Sequence, residues 1–137
     1  MRYLALDWGS KRVGAAVSDP EGRIAFALEK FFDRKRAVSA VKAVIRDLGV
    51  EALLVGLPRS LDGAETASTQ AAREFAAALE KQTGLSVEFL DERFSSVAAG
   101  KTLQAQGYNT REQRNLADNL VAQQMLQRYL DTKNSAR

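Results

Sequence analysis

The chain has 137 residues, a formal net charge of +3 and a hydrophobic share of 45 per cent, which predicts one soluble globular domain with its own core. It contains no cysteine and no histidine, so disulfides, thiolate metal sites, cysteine nucleophiles and histidine-based catalysis are excluded. A metal site built from oxygen ligands alone favours a hard cation such as Mg²⁺ or Mn²⁺. The basic balance permits a nucleic-acid partner without establishing one.

The apolar segments are too short for a membrane protein. No apolar run approaches the ~20 residues that a membrane helix needs. The N-terminal stretch does not resemble a signal peptide, because Asp7 interrupts it. We therefore expect a cytoplasmic protein with no membrane partner, organised as a single domain over residues 1–131 with a polar tail at 132–137.

The first third of the chain is predicted to form three strands. Tyr3–Trp8 is a nearly continuous apolar run, and Val13–Ser18 follows after a short link. Asp19–Gly22 has the composition of a tight turn, and Arg23–Phe31 is the third strand candidate. Strands joined by short turns predict an antiparallel meander.

The next part alternates between helix and strand. Apolar residues from 37 to 48 recur at helical spacing, with Asp33 as a candidate cap and Gly49 at the end. Ala52–Gly56 is a short buried strand. A second helix is centred on Phe75 and ends at Gly84, and a strand at residues 87–90 follows.

The last part is predicted to be helical. A short helix is expected over Ser95–Gln104. Thr110–Gln113 has the spacing of a capping box and opens a helix that runs to about Leu130. The strand–helix–strand units imply parallel pairing. The predicted fold is therefore α/β: a mixed five-stranded sheet, antiparallel over its first three strands and then parallel, with helices on both faces.

Asp7 is the most informative residue for function. It ends a strand that should be buried, and an ionised carboxylate there is costly unless it is paired or binds a metal. The functional interpretation is a metal ligand at the carboxyl end of a central strand, where open α/β sheets place their sites. The alternative is a turn aspartate bonded to the backbone amides of Gly9–Lys11.

Two further acidic positions have the same ambiguity. Asp91 and Glu92 follow a buried strand and should point to opposite faces, so only one is expected in a site; the alternative is a solvated loop. Asp118 shares a helix face with apolar residues, and an acid there needs a partner. That partner is either a metal or an arginine nearby, Arg111 or Arg114.

Together these carboxylates indicate a specific chemistry. A cluster made only of carboxylates suits two-metal hydrolysis of a phosphodiester, in which the ions stabilise the attacking and leaving oxygens. Like charges so close repel each other unless cations lie between them.

Other segments carry weaker signals. Lys11 and Arg12 follow a Gly-Ser turn and are candidate phosphate contacts, as is Arg59 in a loop after a buried strand. Arg34–Arg36 is interpreted as a solvated basic face. Trp8 is expected in a core or rim position, with base stacking as the alternative.

Four spaced motifs resemble those of the YqgF/RuvX family, in the family's order and across nearly the whole chain. They are Leu6–Asp19, Gly56–Pro58 with Asp62-Gly63, Asp91–Ser96, and Asp118–Ala122 with Met125–Leu130.

The resemblance implies a ribonuclease-H-like fold related to Holliday-junction resolvases. It implies a nuclease for the precursor of 16S ribosomal RNA or a junction resolvase. The family's acidic positions fall on Asp7, the pair Asp91-Glu92 and Asp118, and we choose Glu92 over Asp91 as the ligand.

The family's basic positions fall on Lys11, Arg12 and Arg93. The chain departs from the family pattern in three places. Serines stand at 95 and 96 where threonines are usual, and no lysine stands at residues 115–117. Val121 occupies the first of two positions that are usually alanine.

The leading hypothesis is an endonuclease for structured nucleic acid that holds two Mg²⁺ or Mn²⁺ ions on Asp7, Glu92 and Asp118. A non-catalytic nucleic-acid or ribosome-assembly module on the same fold is the alternative. A third hypothesis is a phosphotransferase, because Asp7-x-Gly9-Ser10 also resembles the phosphate loop of actin-like sugar kinases. The sequence leaves open whether the substrate is ribosomal RNA or junction DNA, and whether the chain is a monomer or a homodimer.

Overall fold

The computed structural model describes the backbone of residues 1–8, 12–28, 32–58, 64–91 and 110–135, and the side chains of these residues except 91, 110–118 and 135. The predicted helix at Ser95–Gln104 lies outside the described residues. A short 3₁₀ turn, Arg34–Arg36, precedes the first helix. The strands are β1 (Tyr3–Trp8), β2 (Arg12–Ser18), β3 (Ala25–Ala27), β4 (Phe32–Asp33), β5 (Ala52–Leu57) and β6 (Val87–Asp91), and the helices are α1 (Ala37–Leu48), α2 (Ala67–Thr83) and α3 (Thr110–Ser135).

The strands form one mixed sheet in the order β3-β2-β1-β5-β6, with the short β4 paired to β2. Pairing is antiparallel from β1 through β2 to β3 and β4, and parallel from β1 through β5 to β6. The predicted mixed α/β sheet with helices on both faces is confirmed. The predicted third strand, Arg23–Phe31, corresponds to β3, and the sheet has six strands rather than five because the unpredicted strand β4 follows directly after that range.

Helix ends follow local chemistry. Asp33 accepts a hydrogen bond from the Lys35 amide and so caps the 3₁₀ turn rather than α1 itself. Helix α2 begins after a capping box formed by Thr66 and Thr69. Helices α1 and α2 end at Gly49 and Gly84, where φ is 70° and 76°, as predicted for glycine C-caps.

One face of the sheet packs against α1 and α2 through apolar side chains. Leu4 and Leu6 of β1 and Leu53 and Val55 of β5 belong to this core, together with Leu79 of α2. All five are at most 1 per cent exposed. Burying branched side chains on this scale is the main favourable contribution to folding.

The opposite face packs against α3, and its core combines several alanines with larger apolar side chains. Ala5 of β1, Ala16 of β2 and Ala25 of β3 meet Ala122 and Leu126 of the helix. Short side chains let a helix approach a sheet closely.

Helix α3 runs antiparallel to β1, and its polar end is held by the sheet. The rings of Tyr129 and Tyr3 meet edge to face at 5.6 Å. Lys133 Nζ donates to the Tyr3 hydroxyl at 2.6 Å, and Asn134 donates to the Gly22 carbonyl at 3.2 Å. These contacts explain why the helix continues to Ser135 instead of ending near Leu130, as its polar sequence suggested. None of the described helices is long and apolar enough to cross a membrane.

Candidate active site

Asp7 lies at the carboxyl end of the central strand and is only 6 per cent exposed. Side chains alternate along a strand, so Asp7 continues the row of Tyr3 and Ala5, which faces α3. The side chains of Leu4 and Leu6 occupy the opposite face. Asp7 is therefore a buried carboxylate between the sheet and α3.

Both strands beside Asp7 carry a glycine at the paired position. Gly14 of β2 and Gly56 of β5 are its partners in the register. One layer below, Ala5 is flanked by Ala16 and Leu54, which fill the core. Side chains at paired positions normally lie about 4.5–5.5 Å apart, so the two glycines place no side chain beside the carboxylate on either neighbouring strand. Sequence reasoning assigned no role to these glycines, although glycine within an apolar strand indicates close approach by another group.

Asp118 lies on α3, one helical turn before Ala122 of the core under this helix. The level of Asp118 along the sheet follows from the contact between Tyr129 and Tyr3. From Tyr129 back to Asp118 the helix rises by roughly 16 Å, and from Tyr3 to Asp7 the strand advances roughly 13 Å. The helix backbone at Asp118 is thus close to the level of Asp7. The partner of Asp118 was predicted to be a metal, Arg111 or Arg114. These side chains lie outside those described, so the partner stays a prediction.

The end of β6 reaches the same level on the other side of β5. Leu90 is paired with Gly56, the neighbour of Asp7, and packs in the core under α3. Asp91 is paired with Leu57, whose side chain belongs to the opposite core. Glu92 lies outside the described residues, so its choice over Asp91 stays a prediction.

Basic residues also lie at the end of the sheet that carries Asp7. Arg12 starts β2 and is paired with Asp33, the residue before Arg34. The Arg34 guanidinium carbon lies 4.3 Å from the centre of the Trp8 ring, which is 4.7 Å from the ring of Phe75. Trp8 therefore occupies the predicted core and rim position. Arg34, interpreted from sequence as part of a solvated face, instead lies on this ring beside the strand of Asp7.

The other predicted basic contacts, Lys11, Arg59 and Arg93, lie outside the described residues. Among the described residues no three acidic side chains are grouped so that they could hold a metal ion. Glu92 and the side chain of Asp118 are not part of that set. The structure therefore places Asp7 and the backbone of Asp118 at one end of the sheet.

The sheet order, the mixed pairing and the helix across β1 and β2 define a ribonuclease-H-like domain. The Thermus thermophilus RuvC structure matches with a TM-score of 0.60 at 17 per cent identity, covering 98 per cent of this chain and 97 per cent of that one. RuvC of the same organism in complex with a Holliday junction substrate matches with a TM-score of 0.58 at 16 per cent identity, covering 98 and 96 per cent. At these identities the likeness establishes the fold.

The sequence itself gives the family. Residues 1–132 match the RuvX family, described as Holliday junction resolvase. A Moorella thermoacetica protein named as a candidate pre-16S rRNA nuclease is 41 per cent identical, over 96 per cent of this chain and 95 per cent of its own length. A protein of the same name from Koribacter versatilis is 40 per cent identical, over 96 per cent of this chain and 88 per cent of its own length. The chain belongs to the RuvX family, as the motifs indicated, and is an enzyme of the nuclease class.

Proposed function

We propose that the chain is a metal-dependent endonuclease for structured nucleic acid, with Asp7, Glu92 and Asp118 as the carboxylates of its catalytic centre. The observation that carries this proposal is the position of Asp7. It is buried at the carboxyl end of the central strand, has a glycine on each side, and lies on the face covered by α3. A buried carboxylate is stabilised by hydrogen-bond donors or by a cation, and the end of a central strand suits a metal ligand.

The donor chemistry fits a hard divalent cation. A chain without histidine or cysteine offers mainly oxygen ligands, which Mg²⁺ and Mn²⁺ prefer. Because Gly14 and Gly56 have no side chains, an ion or a phosphate oxygen would meet no Cβ atom from the strands on either side of Asp7. Glu92 is chosen over Asp91 because Asp91 is paired with Leu57, whose side chain belongs to the core on the face opposite to that of Asp7.

The roles of the residues follow from these positions. Asp7, on a rigid central strand, would fix the site, while Asp118 would contribute from α3 and Glu92 from the segment after β6. Bound divalent ions would supply activation of water and stabilisation of the leaving oxygen. Arg12, with Lys11, Arg59 and Arg93, would hold the sugar–phosphate backbone, which positions a substrate without reading its sequence. Arg34 adds a cation held on Trp8 at the same end of the sheet.

For the substrate we propose precursor ribosomal RNA. The support is the name of relatives that are about 40 per cent identical over nearly their full length. Four-way junction DNA is the second candidate, supported by the description of the family model. Symmetric cleavage of a junction needs two active sites and hence a homodimer, whereas trimming of RNA does not.

The test compares three proteins: wild type, Asp7→Asn, and Asp47→Asn as a matched control. Asp47 is an exposed acid near the end of α1 that pairs with Arg46. Each is incubated with a 5′-extended 16S precursor RNA and with a four-way junction, in Mn²⁺, Mg²⁺ or EDTA.

We expect wild type and the control to cut the RNA in either metal but not in EDTA. Asp7→Asn should be slower by about 10²–10³-fold, the scale of losing a group that stabilises the transition state. Activity that survives EDTA, or equal activity in Asp7→Asn, would disprove the mechanism. Salt-dependent binding without cleavage would instead support the non-catalytic module.

A further inference from the structure

Three amide side chains of α3 bind the backbone of the antiparallel strands. They are Asn119, Gln123 and Gln127, spaced four residues apart on one side of the helix. Four residues of helix rise about 6.0 Å, and two residues of strand advance about 6.6 Å. Amide side chains four residues apart on a helix therefore have nearly the same spacing as the backbone groups exposed at every second residue of an edge strand.

Asn119 is inserted into the ladder between β2 and the residue after β3. Two backbone hydrogen bonds normally join a pair of residues such as Ala15 and Leu28. The Leu28 amide makes the first one directly, donating to the Ala15 carbonyl at 3.0 Å. In place of the second bond, the side chain of Asn119 bridges the two residues. Its Oδ1 accepts from the Ala15 amide at 2.8 Å, and its Nδ2 donates to the Leu28 carbonyl at 2.6 Å. The side chain is 1 per cent exposed and replaces one backbone-to-backbone bond.

The other two amides bind the chain at and just before β3. Gln123 donates to the Ala25 carbonyl at 3.2 Å. Gln127 accepts from the Ala25 amide at 2.9 Å and donates to the Arg23 carbonyl at 3.0 Å. These bonds satisfy backbone groups of an edge strand that would otherwise need water or another strand.

The bonds of Asn119 fix both the rotation and the height of α3. A shift of one residue along a helix turns each side chain by about 100°. Such a shift would remove Asn119 from both of its partners, and no apolar contact has this directional requirement. Ala15 is paired with Leu6, the residue before Asp7, so Asn119 links the part of α3 beside Asp118 to the strand next to Asp7.

We propose that Asn119 is the positioning residue that sets the helix backbone at Asp118 against Asp7. This inference rests on the proposed function, because it assigns Asn119 a task at that catalytic centre. Gln127 makes bonds of the same kind two turns farther along α3, so it holds the helix without fixing the end that carries Asp118.

The test compares Asn119→Leu with Gln127→Leu, since each removes an amide from the same row. Rates are measured in saturating Mn²⁺ with precursor RNA, well below the unfolding midpoint of each variant. We expect kcat to fall at least tenfold in Asn119→Leu with KM within twofold, because the backbone contacts of the substrate remain. Gln127→Leu should keep kcat within twofold. Asn119→Ser, a smaller change, should lower kcat in the same direction and serves if Asn119→Leu does not fold.

Two outcomes overturn the inference while leaving the nuclease intact. One is a kcat within twofold of wild type in both Asn119 variants. The other is a loss of kcat that follows the loss of unfolding temperature equally at Asn119 and Gln127. Absence of cleavage by wild type would overturn the proposed function, and this inference with it.

Discussion

The face of the sheet under α1 and α2 is filled by branched apolar side chains, whereas the face under α3 combines small apolar residues with buried polar ones. Leu53 and Leu79 represent the first face, and Asp7 and Asn119 represent the second. Apolar packing is non-directional and stabilises many similar arrangements, while hydrogen bonds of buried amides require one. Both faces therefore stabilise the fold, and only the face under α3 also fixes the geometry of the site.

The largest effect that tests this comparison comes from truncating one leucine on each face. Leu79 of α2 and Leu126 of α3 are both fully buried. Leu79→Ala and Leu126→Ala should each lower the free energy of unfolding by about 2–5 kcal/mol, measured by urea denaturation. Only Leu126→Ala should also reduce kcat of the folded fraction, because α3 carries Asp118. Equal kcat values in the two variants would remove the distinction between the faces.

A smaller effect is expected from a methyl group added beside Asp7. Gly56→Ala should lower the cleavage rate by about ten- to hundredfold, since displacements near 1 Å in an active site have effects of this size. The free energy of unfolding should change by less than about 1 kcal/mol, because alanine tolerates an extended strand at least as well as glycine. Thermal unfolding with and without Mn²⁺ measures both the fold and the ion binding. An unchanged rate would show that neither the ion nor the substrate comes close to Gly56 beside Asp7.

The smallest effect concerns the turn that leads into β3. The Ile24 and Arg23 amides donate to Asp19 and hold the pKa of its carboxyl below the ordinary 3.8. A lowered folded-state pKa means that the stabilisation is complete above the ordinary pKa and is lost as pH falls below it. Asp19→Ala should therefore unfold more readily than wild type near pH 6, and the difference should shrink towards pH 2. A difference that is constant with pH would exclude this role for the carboxylate.

Much of the fold and the central residue of the site follow from sequence patterns. The apolar run before Asp7 predicts a central strand, and glycines at 49 and 84 predict helix ends. These features are local, so the sequence of a few neighbouring residues is enough to predict them.

The features that sequence patterns missed are relations between distant segments. Gly14 and Gly56 become neighbours of Asp7 only once the strand register is known. Asn119 and Gln127 look like the solvated side of a helix until β3 lies beside them. The helix was predicted to end near Leu130, because the contact between Lys133 and Tyr3 that extends it joins opposite ends of the chain and leaves no local pattern.

The most direct measurement of the central claim is the unfolding temperature of wild type and Asp7→Asn over a range of Mn²⁺ concentrations, with Asp47→Asn as the control. An ion that binds only the folded state stabilises it by mass action. Wild type and Asp47→Asn should gain about 5 °C in saturating Mn²⁺. Asp7→Asn should gain almost nothing and should be at least as stable as wild type in EDTA, because one of several repelling charges is gone. Equal stabilisation of Asp7→Asn and wild type by Mn²⁺ would contradict the assignment of Asp7 as the anchor of the metal site.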